Sequence, residues 1–213
     1  MTRIPQSLLA VLCFTLAGCS SAPDEAKKEA AVTKREPAPE IFNVLFDTSK
    51  GPVVIEVHKA WAPIGADHFY TLVKTGFFGN ARFFRVVRNF VVQFGINGDP
   101  KTHSLWATTA LRDDPVKEKN RKGTLTFANR GPSSRTTQLF FNLKDNFELD
   151  SRDFAPIGKV TTGMDIVESF YDSYGDMPPR GMGPDPAQIQ AQGNEYLQNH
   201  FPRLDYIKKA TVQ

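Results

Sequence analysis

Hydrophobic and polar residues alternate along much of the chain after residue 40, and this alternation predicts β-strands. Two such runs, at residues 41–46 and 53–58, flank a polar turn with glycine and proline, so we expect them to pair as a hairpin. The same pattern predicts further strands around residues 83–87, 90–94, 124–128, 138–142 and 156–161, and a closing strand over 203–210.

Helical spacing of apolar residues is found at only two places among these strands. Pro63 opens the first predicted helix, in which Phe69 and Val73 lie on the apolar side, and Gly76 ends it. The second helix is predicted over residues 163–170. Many strands with so few helices favour a mainly β fold, in the form of a closed or nearly closed antiparallel barrel.

One stretch does not fit this pattern. Residues 177–186 are rich in proline and glycine, and a Gln- and Asn-rich helix candidate follows them. We predict an insertion on the surface at about 177–202. It is either plain decoration or a binding site for a partner.

The N-terminus has the organisation of a secretion signal. A short basic start precedes an apolar stretch at residues 8–17, which is too short to span a membrane, since a spanning helix needs roughly 20 residues. The stretch ends in Leu16-Ala17-Gly18-Cys19, which resembles the lipobox of bacterial lipoproteins. We therefore predict a signal peptide at 1–18 and lipidation of Cys19. The alternative is a plain signal peptide that happens to contain this cysteine.

The residues after Cys19 predict how the protein is attached. Residues 20–39 are mostly Ala, Lys, Glu and Pro, which indicates a disordered tether of tens of ångströms. A folded domain is then predicted over 40–213. Ser20 and Ser21 follow the cysteine, as in lipoproteins sorted to the outer membrane. The predicted location is the bacterial cell envelope, with the lipid anchor in the outer membrane and the domain on its periplasmic face.

Composition and charge argue against several classes of function. The 213 residues carry a formal net charge of +3, too mild a balance to predict nucleic-acid binding. Cys13 would leave with the signal and Cys19 would carry lipid, so we expect neither a disulfide nor a cysteine nucleophile. The four histidines are scattered without ligand spacing, which argues against a metal site. Asp113 and Asp114 are interpreted as a charge pair in a loop.

The most informative stretch is residues 83–95, where Arg85 stands inside an otherwise apolar run. As a strand, it would place Phe83 and Arg85 on one face and Phe84 and Val86 on the other. A guanidinium is almost never fully buried without a partner. Arg85 is therefore expected to pair with an acid, to extend toward water, or to face a pocket.

Two further segments supply matching groups. They contain Phe127-Ala128-Asn129-Arg130-Gly131-Pro132 and Gln138-Leu139-Phe140-Phe141, and Leu149 and Phe154 follow. Together with residues 85–93 they give several apolar groups and a few polar ones, which is the usual composition of a small-ligand site.

These motifs resemble those of the cyclophilin-type peptidyl-prolyl cis-trans isomerases. Phe-Phe-Arg-Val-Val-x-x-Phe-Val-x-Gln-x-Gly is similar to the first family signature, and Phe-Ala-Asn-x-Gly-Pro and Thr-Gln-Leu-Phe match two others. The resemblance covers about residues 41–170 and resumes at the last strand. It implies an eight-stranded antiparallel barrel capped by two α-helices, which agrees with the strands predicted from alternation.

The resemblance also implies roles for individual residues. Arg85 is the catalytic residue, and the substrate-binding residues are Phe90, Val91, Gln93, Ala128, Asn129, Gln138, Phe140, Leu149 and Phe154. The family often has His in place of Phe154 and Met in place of Val91. Glu148 stands where cyclosporin-sensitive members have Trp, which implies weak cyclosporin binding.

The implied activity is isomerisation of Xaa-Pro bonds during folding of secreted or envelope proteins, by a monomer that needs no cofactor and no metal. The implied partners are proline-containing, unfolded or partly folded polypeptides. Two alternatives remain open at this point: a proline-peptide-binding chaperone module without turnover, and a structural lipoprotein whose barrel is a spacer.

Overall fold

The computed structural model describes residues 36–213, and the predicted signal peptide, Cys19 and most of the predicted tether lie outside them. Ala38, near the end of the predicted tether, is already buried, and its N–H donates to Asp67 Oδ1 at 2.7 Å. Among the described residues, no helix is long and apolar enough to cross a membrane.

Eight strands and five α-helices make up the described part of the chain. The strands are β1 (Ile41–Thr48), β2 (Gly51–His58), β3 (Arg85–Val87), β4 (Val91–Phe94), β5 (Thr124–Phe127), β6 (Leu139–Asn142), β7 (Pro156–Thr162) and β8 (Ile207–Val212). The α-helices are α1 (Pro63–Lys74), α2 (Pro100–Ala107), α3 (Met164–Glu168), α4 (Pro186–Gln192) and α5 (Asn194–His200), and a 3₁₀ helix covers Phe147–Arg152.

The strands form one antiparallel sheet in the order β3-β4-β6-β5-β7-β2-β1-β8. Its two edges approach each other, because residues 80–83 exchange backbone hydrogen bonds with residues 205–207. The sheet therefore curls into the predicted antiparallel barrel, and the mainly β fold is confirmed. The predicted hairpin is also confirmed, with β1 and β2 joined by a turn at Ser49 and Lys50.

Alternation of exposed and buried residues along β1 and β2 directs one face of each strand into the barrel. Phe46 lies at the centre of this interior, where it contacts the rings of Phe69, Phe78, Phe94 and Phe141 at centroid distances of 5.6–6.4 Å. Aromatic rings at these separations and tilted angles pack favourably. The interior is thus packed with apolar side chains, many of them phenylalanine, and a site for a bound molecule is expected outside it.

The helices differ from the two that were predicted. α1 packs on β2, β7 and β8, and α3, shorter than predicted, packs on β2. α2 was not predicted from the sequence, although Asp99 before Pro100 is a typical helix start: its carboxylate accepts from the N–H groups of Lys101 and Thr102. The single helix candidate after residue 186 is two helices, α4 and α5, which Gly193 separates.

A buried ion pair fixes the loop between α2 and β5. Asp114 accepts from the N–H groups of Ile64 and Gly65 at the start of α1, at 2.9 Å each, and from Arg135 Nη1 at 3.0 Å. Asp114 and Arg135 are both almost fully buried. Asp114 therefore caps the start of α1 inside the protein. Asp113 and Asp114 do lie in a loop, as predicted, but Asp114 is a buried partner of Arg135.

Candidate active site

Three neighbouring strands place the polar site residues side by side. Arg85 on β3 lies opposite Gln93 on β4, and Gln93 lies opposite Phe140 on β6. Next to β6, Gln138 accepts a backbone hydrogen bond of 2.9 Å from the N–H of Ala128. This register brings together residues that are up to 55 positions apart in the sequence.

Gly95 allows this close arrangement at the end of β4. Its φ is +100°, and a Cβ atom there would lie 2.3 Å from the main-chain oxygen of Thr137. Only glycine combines that backbone angle with so close a neighbour. The glycine thus sets the distance between β4 and the segment that carries Gln138.

An apolar cluster forms the floor beside these polar groups. Val91, Phe140, Leu149 and Phe154 are buried in it, with Phe90 and Ala128 packed against them. The rings of Phe140 and Phe154 meet edge to face at a centroid distance of 5.7 Å. This cluster is separate from the barrel interior, so it is available to bind an apolar ring.

A polar bridge positions the part of the floor that comes from the 3₁₀ helix. Nδ2 of buried Asn120 donates to Asp150 Oδ1 and to the main-chain oxygen of Phe154, at 2.8 Å each. Because Asp150 follows Leu149 directly, this one amide fixes both Leu149 and Phe154.

Arg85 is 7% exposed and is held by three hydrogen bonds from the protein. Its Nη1 donates to Gln93 Oε1 at 3.0 Å, and Gln93 Nε2 in turn donates to Gln138 Oε1 at 2.9 Å. The guanidinium carbon lies 5.5 Å from the centre of the Phe90 ring. Two of the three expectations for Arg85 are met at once, because its side chain borders a pocket and also pairs with an acid.

That acid is Asp176, which lies just before the predicted insertion. Its Oδ1 accepts from Arg85 Nε at 2.6 Å, and its Oδ2 accepts from Nη2 at 3.3 Å. Desolvation opposes ionisation of Asp176, but the hydrogen bond and charge of Arg85, the N–H of Met177 and the charge of Arg180 outweigh it. The net effect lowers the pKa of Asp176, so the carboxylate is ionised at neutral pH.

Asn129 stands at the rim of the site. Its Nδ2 donates weakly to the main-chain oxygens of Arg152 and Asp153, at 3.5 and 3.4 Å, and its Oδ1 accepts from Gly131 N at 3.4 Å. These long contacts leave much of its hydrogen-bonding capacity to a bound chain.

A cavity of about 530 Å³ opens between these groups. All of the residues predicted for catalysis and substrate binding line it, namely Arg85, Phe90, Val91, Gln93, Ala128, Asn129, Gln138, Phe140, Leu149 and Phe154. The structure thus brings the predicted set to one place, while the role of each residue stays a prediction.

Several other residues of the cavity wall were not predicted from the sequence. They come from α2 and the loop after it, from the loop before β6, and from the segment before and within α4: His103, Ala107, Ala110, Ser133, Ser134, Thr136, Met177, Arg180, Pro186 and Gln190. Arg130 and Arg152 also line the cavity. Motif matching alone does not find residues that reach the site from unmatched segments.

His103 is the buried histidine of this wall. It is 3% exposed, and its Nδ1 accepts from Asn97 N at 3.4 Å. Burial disfavours the charged imidazolium and lowers the pKa of His103 to about 4, so the ring is neutral at neutral pH.

One local prediction about Arg85 was wrong. β3 begins only at Arg85, so strand alternation does not extend back to Phe83. Phe83 and Val86 lie in the barrel interior, whereas Phe84 belongs to a second apolar cluster with Ile189 of α4. The predicted sharing of faces between these residues therefore fails, because residues 83 and 84 lie outside the strand and their side chains pack in different clusters.

The segment at 177–202 is also packed more firmly than surface decoration would be. Ile189 and Leu197 are 1% and 2% exposed, and together with Phe84, Ile96 and Leu204 they form the second apolar cluster. The helices of this segment are therefore held on the barrel next to the cavity.

Among residues 36–213, no group of three or more His, Cys, Asp or Glu side chains is arranged to hold a metal ion.

Comparison with known families agrees with this site. The sequence profile described as cyclophilin type peptidyl-prolyl cis-trans isomerase/CLD matches residues 43–184. The chain belongs to this family. The prediction of a peptidyl-prolyl cis-trans isomerase is thereby confirmed, and the match includes Asp176 but ends before α4.

Individual peptidyl-prolyl cis-trans isomerases are similar to the chain in sequence. A peptidyl-prolyl cis-trans isomerase of Acinetobacter baylyi is 35% identical over 136 residues, which is 59% of this chain and 69% of that protein. A peptidyl-prolyl cis-trans isomerase-like 1 of Aspergillus niger is 30% identical over 132 residues, which is 59% of this chain and 79% of that protein.

Solved structures support the fold. The crystal structure of a cyclophilin-type peptidyl-prolyl cis-trans isomerase of Cryptosporidium parvum superposes with a TM-score of 0.59 at 18% identity, covering 81% of this chain and 98% of that one. A second structure of that protein, determined in the presence of the dipeptide Ala-Pro, gives the same TM-score and covers 80% of this chain.

Proposed function

We propose that this chain accelerates cis–trans isomerisation of Xaa-Pro bonds in secreted and envelope proteins, with Arg85 as the catalytic residue. The observation that carries the proposal is the position of Arg85: a guanidinium that is 7% exposed lines a cavity whose floor is apolar and largely aromatic.

The reaction needs a group that favours the twisted peptide bond. Resonance gives a peptide bond its barrier to rotation of about 18–20 kcal/mol, and Xaa-Pro bonds isomerise unaided in tens to hundreds of seconds. As the C–N bond twists, conjugation is lost and lone-pair density returns to the prolyl nitrogen. A cation held beside that nitrogen stabilises the twisted state more than the planar one, which lowers the barrier.

The other residues of the cavity would hold the substrate while the bond rotates. The cluster of Phe90, Phe140 and Phe154 offers aromatic faces and edges to the pyrrolidine ring. Asn129, whose contacts inside the protein are long, would bind the backbone of the substrate.

The ion pair with Asp176 does not remove Arg85 from this role. Asp176 and Gln93 accept one hydrogen bond from each nitrogen of the guanidinium, and each Nη atom carries a second N–H. These second N–H groups remain for a substrate, and Arg85 still forms part of the cavity wall.

A protease-coupled assay on an Ala-Pro peptide tests the catalytic role. We expect Arg85→Ala to lower kcat/KM by at least about a hundredfold, since each tenfold corresponds to about 1.4 kcal/mol of lost transition-state stabilisation. Arg88→Ala is the matched control, because Arg88 lies one residue beyond β3, its side chain is 83% exposed, and it does not line the cavity. Equal rates for wild type and Arg85→Ala, near the uncatalysed rate, would favour a peptide-binding module without turnover.

The proposed location in the cell envelope rests on the sequence at Leu16-Ala17-Gly18-Cys19. We expect the full chain to fractionate with membranes and Cys19→Ser to be released, and mass spectrometry of the mature N-terminus should find lipid on Cys19. A mature chain without lipid that begins after a different cleavage site would support the plain signal peptide instead.

A further inference from the structure

Asp176 contacts the guanidinium of Arg85 at two points. The bonds to Nε and Nη2 measure 2.6 and 3.3 Å, and Gln93 takes the third nitrogen, Nη1, at 3.0 Å. A carboxylate that bridges two nitrogens of a guanidinium fixes the plane of that group as well as its position. Every nitrogen of Arg85 is thus held before a substrate arrives.

The segment around Asp176 is closed tightly upon itself. The main-chain oxygen of Asp176 accepts from the N–H of Gly183 at 2.9 Å, and its Oδ1 also accepts from the N–H of Met177 at 2.8 Å. At Gly181, a Cβ atom would lie 2.2 Å from the main-chain oxygen of Asp176, so the loop has no room for a side chain there. These contacts hold the carboxylate in one place relative to the barrel.

The chain just before Asp176 is also attached to the rest of the domain. Asp172 pairs with Arg88 just beyond β3, and the Tyr174 ring meets the Phe201 ring edge to face at a centroid distance of 5.0 Å. The segment is therefore a fixed part of the domain that reaches across to β3.

Burial explains why Arg85 needs this partner. A guanidinium that is 7% exposed loses most of its hydration. Without an acid beside it, the side chain would be more stable extended toward water. A carboxylate beside Nε offsets that loss on one edge and leaves the far N–H groups unused. Asp176 does not line the cavity, so we expect it to act on Arg85 and not directly on a substrate.

We propose that Asp176 is the positioning residue for the catalytic Arg85, fixing the guanidinium so that its remaining N–H groups face the bound proline. This inference rests on the proposed catalytic role of Arg85. The residue comes from outside the three sequence motifs and contributes through Arg85 alone.

Asp176→Asn tests the proposal, because it keeps the shape of the side chain and removes the charge. We expect kcat/KM to fall about tenfold, in line with the cost of a misplaced catalytic group, while the Kd of a proline peptide measured by NMR changes less than about threefold. Asp172→Asn is the matched control: it removes an ion pair between the same segment and the chain beside β3, and kcat/KM should stay within about twofold of wild type.

Three further readouts separate positioning from a merely structural effect. Asp176→Glu keeps the carboxylate and should retain more activity than Asp176→Asn. In an Arg85→Ala background, Asp176→Asn should have no further effect. The Arg85 Nε–H resonance should be protected from solvent exchange in wild type and in Asp172→Asn, and unprotected in Asp176→Asn.

An unchanged or increased kcat/KM for Asp176→Asn would overturn the proposal, since the carboxylate would then have no effect on the rate or would lower it. A failure of the proposed function looks different: wild type itself would show no isomerisation, although the Nε–H would still report whether Asp176 holds Arg85.

Discussion

Gln93 accepts a hydrogen bond of 3.0 Å from Nη1 of Arg85 across the β3–β4 pair. Its amide nitrogen donates to Gln138 at 2.9 Å, so both ends of the side chain have partners inside the protein. The family resemblance implied that Gln93 is a substrate-binding residue. The observed contacts make its support of Arg85 the more direct role.

We expect Gln93→Leu to lower kcat/KM by about tenfold, because the substitution leaves Nη1 of Arg85 without its acceptor in a desolvated position. The protease-coupled assay measures this directly. Gln93→Glu keeps an acceptor for Nη1 and should lose less activity. Equal loss in both variants would mean that Gln93 acts mainly through its amide nitrogen, on Gln138 or on substrate.

The charges around the cavity predict a preference among substrates. Arg130, Arg152 and Arg180 line the cavity together with Arg85, and no carboxylate of the described residues does. We expect peptides with Glu next to proline to have a kcat/KM about three- to tenfold higher than those with Lys at low salt, since exposed charge pairs are each worth about 0.2–1 kcal/mol. The difference should shrink at high salt, because the Debye length falls to about 3 Å at 1 M.

Arg180→Gln should reduce this preference, and Arg82→Gln, which changes a charge outside the cavity wall, should leave it unchanged. The expectation is wrong if the Glu and Lys peptides react equally at low salt.

His103 predicts how stability depends on pH. Its folded pKa of about 4 lies below the ordinary value of 6.5, so between these values the unfolded chain binds a proton that the folded protein does not. The free energy of unfolding should therefore fall as pH drops from about 6.5 to 4, by up to about 3 kcal/mol from this group. Urea unfolding at several pH values, in wild type and in His103→Gln, measures it. An equal pH slope in the two proteins would contradict the assignment.

The second apolar cluster predicts that α4 is an integral part of the domain. Ile189→Ala should lower the free energy of unfolding by about 2–5 kcal/mol, because the side chain is 1% exposed and its removal leaves a cavity. Met182→Ala, in the same segment but 90% exposed, should change it by less than about 0.5 kcal/mol. Denaturant unfolding compares the two, and similar small effects would show that the segment is not held on the barrel.

Local patterns in the sequence were sufficient to predict the barrel. Alternation along β1 and β2 and the turn between them predicted the hairpin, and apolar residues at helical spacing, such as Phe69 and Val73, predicted α1. The pattern failed at β3, which begins only at Arg85, and at α2, in which only His103 and Trp106 are buried. Both failures come from tertiary contacts that override the local period.

The site was predicted only as far as the motifs reach. Residues of β3, β4, β6 and the 3₁₀ helix lie where the motifs implied. Asp176 could not be predicted, because nothing in Gly175-Asp176-Met177 distinguishes a partner of Arg85 from any exposed acid in a loop. Its proximity depends on how α4 and the loop before it pack on Phe84, which is a long-range property of the fold.

The most direct test of the account follows the rotation itself on the enzyme. NMR exchange spectroscopy of a proline peptide at saturating enzyme gives the cis–trans rate in the complex, and titration of the same peptide gives its Kd. We predict that Arg85→Ala slows exchange by at least about a hundredfold while the Kd changes only a few-fold, because the cation stabilises the twisted bond more than the planar one. Unchanged exchange in the complex of Arg85→Ala would contradict the central claim.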